Sequence, residues 1–133
     1  MKTKWTLLFF FLLSLHYINA QSAINLDQIQ LTEDKNILVK PLHTDEHSSG
    51  YLIVVRDSVR KHYHNEHTES IYILEGKGQM LINKEKVNVA AGDYLLIPPQ
   101  TIHAVWVTST SPLKVLSTQA PQFFGKDRIF IED

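Results

Sequence analysis

The stretch His62-Tyr63-His64-Asn65-Glu66-His67-Thr68-Glu69, running on through Ser70-Ile71-Tyr72-Ile73-Leu74-Glu75 to Gly76, decides how this chain is read. Successive side chains of an extended strand point to opposite faces, so His62 and His64 share one face and Tyr63 takes the other. Two imidazoles therefore converge. Residues 70–75 read as a second strand stopped by Gly76, and a turn over 65–68 folds Glu69 back opposite the histidines. Imidazole nitrogens with one carboxylate, in a chain without cysteine, suit borderline divalent ions: iron, manganese, cobalt, nickel, copper or zinc. His67 is the rival to Glu69 and would give a three-histidine site, but strand parity carries Glu69 onto one face with Ile71 and Ile73. His43 and His47 sit in the polar run from His43 to Gly50 and read as solvated.

A further ligand comes from Gly92-Asp93-Tyr94-Leu95-Leu96-Ile97-Pro98-Pro99-Gln100-Thr101-Ile102-His103. The first stretch fits the pattern HxHxxxxExxxxxxG and the second fits GxxxxxPxxxxH. On these two motifs the chain resembles the cupins, in the form of a small single-domain member, over roughly residues 51–117. The resemblance implies a double-stranded β-helix, or jelly-roll barrel. It also implies the metal ligands His62, His64, Glu69 and His103, a small-molecule ligand or substrate, and pairing into a homodimer. The sequence departs from the fuller pattern at Arg56 and Gln100, where glycines are usual, and at Val107, where an asparagine often follows. None of these is a ligand position. Gln100 in place of glycine implies an altered turn after Pro98 and Pro99.

Independently of the motifs, the chain reads as all-β. Short β-rich runs cover 37–40, 51–56, 59–64, 70–75, 79–82, 85–89, 94–97, 102–108 and 113–118, separated by turn residues such as Asn83-Lys84, Gly92-Asp93 and Pro98-Pro99. Many short strands with no long helical period point to an antiparallel sandwich or barrel. Residues 23–36 fit neither period and are read as an edge strand or a short helical turn. The tail 121–130 reads as packing along the outside of the barrel rather than closing its mouth.

Residues 1–20 combine Lys2 and Lys4, the apolar run 5–15 and a small Ala20, the form of a secretory signal peptide. The apolar run is short for a bilayer crossing, which needs about 20 residues. The expectation is export to the periplasm or the medium, with no membrane attachment after cleavage. Residues 21–133 then form one cupin domain with its core at about 51–118, without disulfides to support it. A formal charge of −1 with no basic stripe excludes a nucleic-acid partner.

Parity also predicts the lining of the site: Ile71 and Ile73 beside Glu69, and Val105 and Val107 beside His103. Arg60, two residues before His62, shares its face on a regular strand and would receive an anionic substrate through its guanidinium fork. Tyr72 and Trp106 fall on the outward parity. Two functions remain open: a metal-dependent enzyme acting on a small molecule, dioxygenase- or isomerase-like, and a non-catalytic module that binds metal or a small ligand.

Overall fold

The computed structural model describes residues 23–132, so the expected signal peptide over 1–20 lies outside the described residues. Among the described residues ten strands are formed: β1 Ile37–Thr44, β2 Ser49–Val55, β3 Ser58–His64, β4 Thr68–Glu75, β5 Lys77–Ile82, β6 Glu85–Ala90, β7 Tyr94–Ile97, β8 His103–Val107, β9 Leu113–Ala120 and β10 Arg128–Phe130. They build two five-stranded antiparallel sheets, ordered β1-β2-β9-β4-β7 and β10-β3-β8-β5-β6. The architecture is the all-β double-stranded β-helix. Within residues 23–36 the ordered element is a single 3-10 turn, Leu26–Gln28, with Asn25 Oδ1 accepting from the Asp27 amide as its cap.

Alternation explains why these sequences pair as they do. Ile71 and Ile73 of β4 point inward and meet Met80, Val105, Leu113 and Val115 in one buried cluster, while Tyr72 between them stays 42 % exposed. In β9, Val115 and Ser117 stand opposite Ile73 and Ile71. A slip by one residue would turn this apolar set to solvent, which fixes the register. Trp106, on the outward parity of β8, is likewise exposed.

β3 contains the irregularity that matters most for function. Val59 stands opposite Val105 and His62 opposite His103, so two residues of β3, Arg60 and Lys61, stand against one of β8, Ala104. This is a β-bulge over Arg60 and Lys61, and it resets parity along the strand. Val59 and His62 therefore both face the interior, although they are an odd number of residues apart.

The tail lies partly where it is expected, on the outer edge of a sheet, and partly against a histidine of the site. β9 ends at a cis Ala120–Pro121 bond. Phe123 packs edge-on against His64 and His67, with ring centroids 5.6 and 5.2 Å apart. The chain finally adds β10 to the free edge of β3. Asp127 anchors this path: its carboxylate accepts from the Asn65, Glu66 and His67 amides and pairs with His67 Nδ1 at 2.5 Å.

Candidate metal centre

His62 and His64 enter from β3 and His103 from the first position of β8, all in one sheet, while Glu69 enters from β4 in the facing sheet. The site thus spans the sandwich. All four side chains are buried, and one ligand-capable atom from each lies within 4.8 Å of the others. A divalent ion with bonds of about 2.0–2.2 Å separates opposite ligand atoms by about 4.4 Å at most, so small side-chain adjustments suffice. The imidazole centroids are 4.1 Å apart for His62 and His103, and 5.4 Å for His62 and His64.

Backbone carbonyls set the ring tautomers. Nδ1 of His62 donates to the Arg60 carbonyl at 2.8 Å, which the bulge turns toward the ring, and Nδ1 of His103 donates to Thr101 O at 2.9 Å. A neutral ring that spends its proton on Nδ1 presents a bare Nε2 to the centre. His103 Nε2 nevertheless lies 3.2 Å from Glu69 Oε2, and His64 Nε2 lies 3.4 Å from the same oxygen. Neither ring nitrogen of His64 has a hydrogen-bond partner. Acceptors gathered in this way, away from water, call for a cation between them.

The electrostatics agree. Burial, the neighbouring His103 and the positive charge of Arg128 push the His62 imidazole down to about 4, which keeps its lone pair free. Burial raises the Glu69 carboxyl, but ring N–H groups of His103 and His64 donating to it, with the Ser117 hydroxyl, outweigh that and hold the group well below the usual carboxylate range, and a bound ion would take the place of those ring protons. Its second oxygen accepts from the Ser117 hydroxyl and, at 3.5 Å, from Gln119 Nε2. These two β9 residues were absent from the sequence reading. The signal for them was present: inward parity from Leu113 and Val115 continues to Ser117 and Gln119, which places polar groups level with Glu69.

His67 is buried but does not join the cluster, because its Nδ1 is held by Asp127 and its Nε2 by Gln122 O at 2.9 Å. His43 and His47 lie apart, exposed on the β1–β2 hairpin. Two pocket assignments are corrected. Arg60 does not share the face of His62, because the bulge turns it outward, where it is exposed with its guanidinium 4.9 Å from the Phe130 ring centroid. Val107 packs against the core but does not border the cavity, whereas Ile71, Ile73 and Val105 do. The arginine that borders the cavity is Arg128 of β10. A three-residue strand after Gly125 gives no usable periodicity, so the sequence could not place it.

The cavity beside the cluster measures about 80 Å³. At roughly 10–15 Å³ for each water-sized occupant, this admits a ligand of about five to eight non-hydrogen atoms. Apart from His62, Glu69, His103 and Arg128, its walls are apolar.

Comparison with known proteins agrees with this geometry. The family model Cupin_2, described as a cupin domain, matches residues 51–119. An uncharacterized protein of Aquifex aeolicus is 31% identical over 112 residues, covering 84% of this chain and 82% of its own length. Quercetin 2,3-dioxygenase of Bacillus subtilis is 34% identical over 65 residues, which are 44% of this chain and 19% of that enzyme. Among solved structures, a conserved Klebsiella pneumoniae protein with a double-stranded β-helix domain superposes with a TM-score of 0.73 at 14% identity, covering 86% of this chain and all of its own.

Proposed function

The chain belongs to the cupin domain family, and from that premise we propose that His62, His64, Glu69 and His103 hold a divalent transition ion with which the protein acts as an enzyme on a small molecule, by dioxygenase- or isomerase-type chemistry. The observation that carries this reading is the burial together of three imidazoles and one carboxylate, each offering one ligand atom within 4.8 Å of the others. Four protein ligands leave about two positions of an octahedral ion open. A divalent ion bound there supplies Lewis-acid polarisation of an oxygen ligand and, for iron or manganese, redox capacity.

The chain's own residues do the remaining work. The Arg60 and Thr101 carbonyls orient two rings, Ser117 and Gln119 steady Glu69, and the aliphatic walls exclude water from the reacting group. The Bacillus subtilis dioxygenase supports an oxygenase reading over the shared segment alone.

A second reading, capture of a metal or small ligand without turnover, is favoured by one feature. Among the described residues that border the cavity, no acid or base stands outside the ligand set except Arg128, which leaves no evident proton shuttle. One experiment separates the two. Protein purified without added metal is analysed for its ion, then screened for oxygen uptake and thermal shifts with catechols, thiols, 2-oxo acids and sugars. Turnover supports the enzyme, and stabilisation without turnover supports the binder. A chain that retains and takes up no divalent ion sinks both. The proposal includes export through residues 1–20, tested by the mass of the mature chain, and assembly as a homodimer.

A further inference from the structure

Arg128 enters the cavity from β10, paired in register with His64 of β3. Its Nε is sealed from solvent without a hydrogen-bond partner, and no carboxylate among the described residues pairs with its guanidinium. The nearest candidate in sequence, Asp127, is occupied by the 65–67 amides and His67. The fully buried cation Lys114, by contrast, has Glu75 Oε1 at 2.7 Å from its Nζ. Arg128 as a whole is half-buried and only its Nε is sealed, so the terminal nitrogens stay open to a ligand, and a carboxylate matches that fork through two parallel hydrogen bonds.

Around it the wall is aliphatic, from Ile37 and Val39 of β1 and Ile53 and Val55 of β2. We propose that Arg128 receives the carboxylate of a small, branched 2-oxo or 2-hydroxy acid, whose apolar body lies on these four residues and whose second oxygen function is left for the His62–His64–Glu69–His103 cluster. The inference rests on the metal-binding reading above.

The test is calorimetric titration of zinc-loaded protein with 3-methyl-2-oxobutanoate and, in parallel, with its methyl ester, after zinc content has been measured. The acid is expected to bind at least about tenfold more tightly than the ester, as loss of a charged hydrogen-bond pair implies. Arg128→Gln should keep its zinc and bring the acid down to the affinity of the ester, with Arg128→Lys between them. Equal affinity for acid and ester, no binding of the acid, or an Arg128→Gln protein that binds the acid like wild type overturns the proposal. The comparison in the wild-type chain does not depend on a variant folding. A wild-type chain that takes up no zinc brings down the metal reading and this inference together. A zinc-loaded chain that does not distinguish acid from ester brings down this inference alone.

Discussion

At the scale of single residues, the fate of each histidine is decided by which groups its two nitrogens meet. His62 and His103 spend Nδ1 on carbonyls and point Nε2 inward, whereas His67 has both nitrogens engaged by Asp127 and Gln122. Replacing His62 or His103 by alanine is therefore expected to abolish stoichiometric metal by elemental analysis, and His67→Ala and His47→Ala are expected to keep it. Equal metal in all four would reject the ligand set. The buried His62 also gives a pH signature in metal-free protein. Its pKa is lowered in the fold to about 4, so the unfolded chain binds the extra proton first. Stability is full above about 6.5 and is lost as pH falls toward about 4, by about 3 kcal/mol in all. Thermal unfolding of the metal-free protein across this range should show that decline, and His62→Asn should flatten it. Gln100 is the residue-scale departure from expectation: it adopts φ 63, so a non-glycine residue occupies left-handed backbone there while its amide donates to His64 O at 2.6 Å.

At the scale of elements, strand positions were legible in the sequence, but irregularities were not. Alternation placed Ile71, Ile73, Tyr72 and Trp106 on their correct faces, because a regular strand has one parity. It failed at Arg60, because the β3 bulge is set by pairing with β8 and leaves no mark in residue type. It also left out β10, whose three residues dock through the Asp127 clamp rather than through a periodic pattern. The clamp has its own pH window. Burial opposes ionisation of both partners, yet their mutual pairing raises His67 and lowers Asp127. The His67 contribution is full below about 6.5 and lost as pH rises through its raised value. The Asp127 contribution is full above about 4 and lost as pH falls through its lowered value. Asp127→Asn is expected to cost about 2 kcal/mol and to speed amide exchange in β10 and the 65–67 loop, with β5 and β6 unchanged. Uniform acceleration across both sheets would argue against a local clamp.

At the scale of the whole molecule, β7 is a free edge of its sheet and carries Tyr94 and Leu96 beside Tyr72 on the outer face. Unpaired edges flanked by exposed apolar side chains favour association. Light scattering is expected to give twice the chain mass, and Tyr94→Lys with Leu96→Lys to halve it; a monomeric wild-type chain would reject the dimer. Chelation should also lower the thermal midpoint, since an ion at about a hundredfold its Kd contributes about 2.7 kcal/mol to the folded state. Residue type and spacing by themselves determined the all-β class, nearly every strand and the shared face of His62 and His64, because period-2 alternation is a local property, while the two cupin-like motifs pointed to Glu69 and the distant His103. Only the tertiary structure decided that Ser117 and Gln119 support Glu69, that His67 serves the tail, and that Arg128 rather than Arg60 enters the cavity. Those outcomes depend on a bulge and on a late-docking strand, which arise from pairing between distant segments and leave no local pattern to read.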